Sequence, residues 1–311
     1  MEKFENKIEK ERGANIELIL HILRHGDKSS EGMLHEYGRK QAKDTASLNK
    51  HQYSEGVKIK PFGSPAGPKS GEAEMERSLE TSHIYGSEIS AEKRGELYKT
   101  RPRSLLNYED WDVLIIDPEY DYDGIYKKYL EEYVDQKYNG MSYENLTEDQ
   151  QKKASFYASN GATRYYLELN TENGIKSRKE VAGTFAVLIK HYVRMIQEKL
   201  NSNQKFLFPL GSHTGMIEPF LSESVIWKDK DENERHGATL DEMGGIFKPA
   251  EGFDIVLKTD QDGKLEQVQM RFDDQSRLGG EVYLNMQKVD ELAEFYRELH
   301  EKNEKTEPEQ E

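Results

Sequence analysis

Cysteine is absent from the 311 residues of this chain. Disulfide bonds, thiolate nucleophiles and metal sites with cysteine ligands are therefore excluded. Long apolar runs are missing as well, since none approaches the roughly 18 residues that a membrane-spanning helix needs. The N-terminal sequence MEKFENKIEK holds no apolar stretch of the kind that a secretory signal peptide carries. These absences lead us to expect a cytoplasmic protein that does not bind membranes.

Positive charge is scarce relative to negative charge. The chain has 44 Lys and Arg against 59 Asp and Glu, which gives a net charge of −15. A nucleic-acid partner is disfavoured, because such binding depends on clustered Lys and Arg that neutralise phosphates. A small anionic ligand is still possible, since a few arginines in one pocket can dominate the local field. Nothing in the sequence indicates an oligomeric state.

The apolar residues are gathered into short, dense runs separated by helical patterns. The runs IELILHIL at 16–23 and FLFPL at 206–210 are typical of strands buried on both faces of a sheet. Further strands are predicted at 57–62, 97–106, 253–259 and 265–272, and helices at 34–49, 71–90, 177–200 and 286–301. Ser177 is the predicted N-cap of the third helix. The pattern predicts an α/β protein, a three-layer α/β/α sandwich with a mixed, mostly parallel central sheet.

Residues 107–160 differ from the rest of the chain in being rich in tyrosine and charged residues and poor in aliphatic ones. Their periodicity predicts helices at 126–138 and 148–158, and we interpret the segment as a helical insertion or cap over the sheet. We expect a single domain at 14–302, a flexible N-terminus at 1–13 and a disordered tail at 303–311.

Polar residues follow both buried strands. Arg24-His25-Gly26 comes after the first strand and Gly211-Ser212-His213-Thr214-Gly215 after the second, at the strand ends where open α/β sheets bind ligands. Arg77 lies between them on a predicted helix. Arginine offers a fixed fork of donors that matches phosphate oxygens. A neutral imidazole can attack phosphorus, and a second imidazole can hold the oxygens in the transition state. This combination indicates phosphoryl chemistry.

Five motifs in this order resemble those of the histidine phosphatase superfamily, which has the phosphoglycerate-mutase-like fold. They lie within residues 16–223, about two thirds of the chain. The motifs are Arg24-His25-Gly26, Leu34-x-x-x-Gly38-x-x-Gln41-Ala42, Gly63-Ser64-Pro65, Arg77-Ser78-Leu79-Glu80-Thr81-Ser82 and Ser212-His213-Thr214-Gly215.

The resemblance implies a role for each matching residue. His25 would accept the phosphoryl group, Arg24 and Arg77 would clamp it, and His213 would complete the phosphate pocket. The backbone amide of Thr214, at the start of a helix, would add a donor. Lys28 would add positive charge at the pocket mouth. No metal and no organic cofactor is implied.

Members of this superfamily also need a carboxylic acid that protonates the leaving oxygen. In one branch it is a glutamate after the second arginine, and Glu109 is the best match in this chain. In the other branch an acid directly follows the second histidine, where this chain has Thr214. Asp110, Asp27 and Glu218 are alternative donors.

The resemblance implies a phosphatase that hydrolyses small phosphomonoesters through a phosphohistidine at His25. A phosphoglycerate-mutase-type phosphotransferase is an alternative, although Glu31 and Gly32 stand where mutases tend to carry a phosphate-contacting Asn and its neighbours. A metal-dependent phosphohydrolase is another, because His21, His25 and Asp27 alternate along the chain. The third alternative is a phosphoanion-binding module without catalysis. The physiological substrate is not encoded in any of these motifs.

Overall fold

The computed structural model describes residues 12–29, 31–65, 67–70, 75–106 and 121–304. Within these ranges, the α-helices are α1 (Glu36–Asn49), α2 (Arg77–Lys93), α3 (Tyr122–Tyr138), α4 (Glu148–Glu168), α5 (Glu172–Glu198), α6 (Ile217–Ser224) and α7 (Met286–Glu304). The strands are β1 (Glu17–Arg24), β2 (Lys58–Ile59), β3 (Phe62–Gly63), β4 (Lys69–Ser70), β5 (Met75–Glu76), β6 (Glu96–Leu97), β7 (Arg101–Pro102), β8 (Lys205–Ser212), β9 (Val225–Lys228), β10 (Glu234–His236), β11 (Gly252–Lys258), β12 (Gln269–Phe272) and β13 (Val282–Leu284).

The central sheet contains eleven of these strands, and β4 and β5 form a separate hairpin. Nine strands of the central sheet are hydrogen-bonded side by side in the order β10-β9-β13-β12-β11-β1-β8-β2-β6. Strand β3 pairs with β7 and β8. The pairings on the β8 side of β1 are parallel, including β1 with β8. Those from β11 to β10 are antiparallel. The predicted mixed sheet is confirmed, but it is not mostly parallel: five of these ten pairings are parallel, all on the β8 side of β1, and five are antiparallel.

Strand β1 is buried on both faces, as its continuous apolar run predicts. Because successive side chains of a strand point to opposite faces, its residues enter two different cores. Leu18, Leu20 and Ile22 belong to the larger core, which includes Phe185 of α5. Ile19 and Leu23 belong to the smaller one, with side chains of α1 and α2. Helices thus cover both faces of the sheet, and the predicted three-layer sandwich is confirmed.

The predicted helices of the insertion are present and longer than the sequence pattern indicates. Helix α3 begins at Tyr122, and α4 continues to Glu168. The N-terminus of α4 has a capping box in which Thr147 and Gln150 satisfy each other's backbone N–H groups. Val134 and Ala154 form a small apolar cluster between the two helices.

Ser177, the predicted N-cap of the helix at 177–200, does not cap it. Helix α5 begins at Glu172 and is capped by Thr171, whose hydroxyl accepts the Gly174 N–H at 3.0 Å. Ser177 instead lies inside the helix, buried, with its hydroxyl 2.9 Å from the hydroxyl of Tyr166. A tertiary contact that the local sequence does not reveal therefore decides its role.

Most residues of the two termini that we expected to be flexible, 1–11 and 305–311, lie outside the described residues. None of the helices described has both the length and the apolar composition needed to cross a membrane.

Candidate active site

The two predicted histidine loops start side by side at one edge of the sheet. Strands β1 and β8 are parallel neighbours, and Arg24 is in register with Ser212. His25 and His213, the next residues, bring their rings to a centroid separation of 5.1 Å. The sequence placed these histidines at the ends of two buried strands, and the parallel pairing explains why they meet.

Two glycines allow α1 to approach the loop after β1 closely. A Cβ atom at Gly26 would lie 2.5 Å from the Gly38 carbonyl oxygen, and one at Gly38 would overlap the Asp27 backbone. Gln41, one turn further along α1, accepts the Asp27 N–H at 2.9 Å and donates to the Asp27 carboxylate at 3.2 Å. Asp27, an alternative proton donor, is thus held by Gln41 and does not line the cavity.

The start of α2 is packed just as closely against β3 and β8. A Cβ atom at Gly63 would lie 2.5 Å from the Leu79 nitrogen, and one at Gly211 would overlap the Ser78 carbonyl. The first turn of α2 therefore lies directly beside the sheet edge. This contact brings Arg77 to the two histidines.

His25 is held as a neutral base. Its Nδ1 lies 2.7 Å from the Gly26 carbonyl oxygen, which can only accept, so Nδ1 carries the proton and the lone pair is on Nε2. Burial, together with the nearby His213, Arg77 and Arg24, lowers the pKa of His25 well below its ordinary value. An unprotonated Nε2 is the form required of a nucleophile.

His213 is also buried, and two serine hydroxyls hold its Nε2. Ser64 Oγ lies at 2.9 Å and Ser78 Oγ at 3.2 Å. Burial, then the positive charges of Arg77, Arg24 and Lys28, lower the pKa of His213 to about 3. A neutral ring that accepts from a serine at Nε2 carries its proton at Nδ1, as a donor for an oxyanion.

The two predicted arginines flank these rings and are anchored by backbone carbonyls. Arg24 Nη1 donates to Phe247 O at 2.6 Å, and Arg77 Nη1 donates to Gly32 O at 3.1 Å. Arg77 Nε is buried and has no hydrogen-bond partner among the described residues. A buried cationic donor without a partner is unfavourable until an anion binds.

Lys28 and Thr214 line the same cavity as the four predicted phosphate-binding residues. The Lys28 ammonium lies within electrostatic reach of both arginines. Burial and the charges of Arg77 and Arg24 therefore lower the pKa of Lys28. Thr214 does not start a helix as predicted but lies in the turn before α6, which begins at Ile217. Its hydroxyl is buried without a partner among the described residues.

Glu218, another alternative proton donor, is fully buried and accepts hydrogen bonds from the backbone. Its two oxygens accept the Gly215 N–H at 2.8 Å and the Phe247 N–H at 3.3 Å. Burial raises the pKa of its carboxyl group. Because the Phe247 carbonyl holds Arg24, Glu218 connects the arginine anchor to the His213 loop.

A second support for this anchor was not predicted from the sequence. Arg277 and Glu251 form a buried, two-pronged ion pair with distances of 2.7 and 2.9 Å. Arg277 also donates to Met243 O, Gly245 O and Ile246 O, and its guanidinium lies 4.2 Å from the centre of the Phe247 ring. It therefore fixes the segment that presents the Phe247 carbonyl to Arg24.

The cavity has a volume of about 1060 Å³ and two chemically different ends. The histidines and arginines form one end. Residues of the insertion form the other, among them Tyr126, Tyr143, Gln151 and Phe156. The sequence suggested that the insertion covers the sheet, but not which of its residues face the cavity. The predicted proton donors Glu109 and Asp110 lie outside the described residues.

The residues of the metal alternative are not assembled. His21 is fully buried, with Nδ1 2.9 Å from an oxygen of Asp254 and its ring stacked on Tyr85 at 4.2 Å. The parts of the chain that the structure describes contain no group of three or more His, Cys, Asp or Glu able to hold a metal ion.

No family model and no curated protein matches this chain. Among solved structures, a mycobacterial hydrolase shares 16% identity over 78% of this chain and 92% of its own, with a TM-score of 0.39. A mycobacterial glucosyl-3-phosphoglycerate phosphatase shares 12% over 83% and 96%, with a TM-score of 0.35. Its complex with inorganic phosphate shares 13% over 83% and 95%, also at 0.35. These TM-scores are too low to indicate a function for this chain.

Proposed function

We propose that this protein is a phosphatase that hydrolyses phosphomonoesters through a phosphohistidine at His25. The observation that carries the proposal is the state of the His25 ring. It is neutral, fixed at Nδ1 by the Gly26 carbonyl, and surrounded by two guanidinium groups and a second neutral histidine. Positive charge around an unprotonated base suits an anionic electrophile, because the arginines bind the anion while the base attacks it.

In the first step, the substrate phosphate accepts hydrogen bonds from Arg24, Arg77 and His213. Lys28 and Thr214 add contacts at the mouth of the site. The His25 Nε2 lone pair forms a bond to phosphorus as the ester P–O bond breaks. The leaving oxygen takes a proton from an acid, for which we propose Glu109. The ring becomes an N-phosphorylated imidazolium, and its Nδ1–H donates to the Gly26 carbonyl.

In the second step, water attacks phosphorus and gives its proton to the carboxylate left by the first step. The N–P bond breaks, its electron pair returns to Nε2, and inorganic phosphate leaves. His25 and the acid are then back in their starting states. These steps use no metal and no organic cofactor.

Hydrolysis of an aryl phosphate in excess EDTA tests this proposal, with wild type, His25→Ala and His51→Ala as the control. His51 is exposed and does not line the cavity. We expect activity to survive EDTA in wild type and the control, and to fall by about 10³-fold or more in His25→Ala. Loss of activity on adding EDTA would favour the metal alternative. Phosphate binding without turnover in wild type would favour a binding module.

A further inference from the structure

The part of the cavity beyond the phosphate end is large enough for a sizeable leaving group. The whole cavity of about 1060 Å³ is slightly larger than the usual range for ligand pockets, about 300–1,000 Å³. One phosphate group occupies only the end formed by the histidines and arginines. The remaining space is lined by residues of α3, α4 and the segment between them, and it is open to solvent.

This second end offers little positive charge for another anionic group. Among its described lining residues the only Lys or Arg is Lys152. The Lys152 ammonium lies 2.9 Å from the carboxylate of Glu148 and 5.3 Å from the centre of the Tyr37 ring. Asp123 adds a further negative charge to the lining. The undescribed segment 107–120 has five acidic residues and no Lys or Arg, so it brings no cation wherever it lies.

The cations at the phosphate end are already engaged there. Arg24 and Arg77 flank His25 and are anchored to carbonyls on either side of it. Lys28 is within electrostatic reach of both arginines. One phosphate dianion neutralises two of these three charges, and Arg24, Arg77 and Lys28 all belong to the phosphate end and not to the end lined by α3 and α4.

The second end combines flat apolar surfaces with neutral hydrogen-bonding groups. Tyr126, Tyr143 and Phe156 contribute aromatic rings, and Ser159 contributes a hydroxyl. Gln151 Nε2 donates to the Tyr143 carbonyl at 3.0 Å, so the Gln151 side-chain oxygen is the group that can accept from a ligand. Tyrosine and serine hydroxyls both donate and accept, so they suit ligand hydroxyl groups. Aromatic faces suit the apolar face of a ring.

We infer that the site takes phosphomonoesters of large, hydroxyl-rich alcohols that carry no second anionic group, and that it discriminates against substrates with a second phosphate. The inference rests on the proposed function and adds the class of the leaving group. Sugars and nucleosides share this chemistry, and a comparison of the two monophosphates distinguishes them.

The first test compares kcat/KM for matched pairs of substrates. The pairs are a hexose monophosphate with the corresponding bisphosphate, and adenosine monophosphate with adenosine bisphosphate. Glycerol phosphate and phosphocholine serve as small and cationic comparisons. We expect the better monophosphate to exceed its bisphosphate and both comparison substrates by about tenfold or more. Equal or better turnover of the bisphosphates, glycerol phosphate or phosphocholine would overturn the inference.

The second test releases the charge of Lys152 by Glu148→Gln. The matched control is Asp149→Asn, which releases Lys153 from an i,i+4 ion pair of 2.6 Å on the same helix. Neither Asp149 nor Lys153 lines the cavity. We expect Glu148→Gln to raise the bisphosphate-to-monophosphate ratio of kcat/KM by about two- to fivefold, and Asp149→Asn to leave it unchanged. Equal ratios in the two variants would contradict the assignment of Lys152.

Calorimetric binding of the same hexose phosphates to His25→Ala protein separates this inference from the proposed function. If wild type hydrolyses nothing, including an aryl phosphate, the proposed function fails. The inference is then still tested by whether the monophosphate binds more tightly than the bisphosphate. If the aryl phosphate is hydrolysed but the bisphosphate binds at least as tightly, only the inference fails.

Discussion

The imidazole rings of His25 and His213 meet edge to face, with centroids 5.1 Å apart and planes inclined at 64°. Both rings are buried, and Arg24 and Arg77 lie close enough to lower the pKa of each. Protonating either ring would add a charge next to two fixed cations. The pair is therefore held neutral, so that one ring can attack phosphorus while the other donates to its oxygens.

We predict that neither His25 nor His213 titrates between pH 5 and 8 in the folded protein. Their pKa values lie well below 6.5 and at about 3. In the urea-unfolded chain both should titrate near the ordinary value of about 6.5. NMR titration of ¹⁵N-labelled imidazoles, assigned with His25→Gln and His213→Gln, checks this. Titration of either ring near neutrality in the folded protein would contradict it.

The same pKa shifts predict how stability depends on pH. Because the unfolded chain binds protons at His213 between about pH 6.5 and 3 and the folded protein does not, stability is full above this window and falls as the pH drops through it. The slope is about 1.4 kcal/mol per pH unit for each such histidine. Between pH 6.5 and 5, urea unfolding should therefore show wild type losing about 2 kcal/mol more than His213→Asn. Parallel losses would mean that His213 is not held neutral.

Glu218→Gln should weaken phosphate binding through the arginine anchor. Glutamine has one acceptor oxygen, so it cannot serve both the Gly215 and the Phe247 N–H groups. We expect a loss of about 1–3 kcal/mol in stability and a several-fold rise in the inhibition constant of inorganic phosphate.

Glu223→Gln is the matched control for that experiment. Glu223 lies on the same helix but pairs with Lys288 at 3.2 Å, away from the cavity of the histidines. A stability loss in Glu218→Gln with unchanged phosphate inhibition would show that Glu218 supports the fold without positioning Arg24.

Gly38→Ala should lower activity although alanine favours helices. The added Cβ would overlap the Asp27 backbone, so the loop that carries His25 has to shift. Ser47→Ala, at an exposed position of the same helix, is the control. We expect kcat/KM to fall about tenfold or more in Gly38→Ala and to stay near wild type in the control. Full activity in Gly38→Ala would show that the loop tolerates displacement.

Glu109→Gln should slow substrates with poor leaving groups much more than aryl phosphates with good ones. An alkoxide needs a proton as it leaves, whereas a nitrophenolate does not. Rates on an alkyl and an aryl phosphate, compared with Asp110→Asn and Asp27→Asn, identify the donor. Equal losses on both substrates would remove Glu109 from this role.

Local pattern was enough to predict much of the fold and the core of the site. The continuous apolar runs of β1 and β8 identified two buried strands, and the polar residues that follow them identified His25 and His213. The long periodic helices were predicted for the same reason. Each of these features depends on residues that are close together in the sequence.

Features that depend on distant parts of the chain were missed. Ser177 and Thr171 are both good capping residues, but Thr171 caps the helix while Ser177 contacts Tyr166 of the preceding helix. Arg277 supports the Arg24 anchor through backbone carbonyls, which have no sequence signature. The cavity-facing residues of α3 and α4 depend on how the insertion packs over the sheet.

Trapping of the phosphoenzyme tests directly whether His25 carries the phosphoryl group during turnover. Wild type and His25→Ala are mixed with a phosphomonoester, quenched in alkaline denaturant within milliseconds, and digested for mass spectrometry. Because phosphohistidine survives alkali and is lost in acid, we expect one phosphoryl group on the peptide containing His25, lost on acidification and absent from the variant. A phosphoryl group on another residue, or turnover by wild type with no phosphorylated peptide at any quench time, would contradict it.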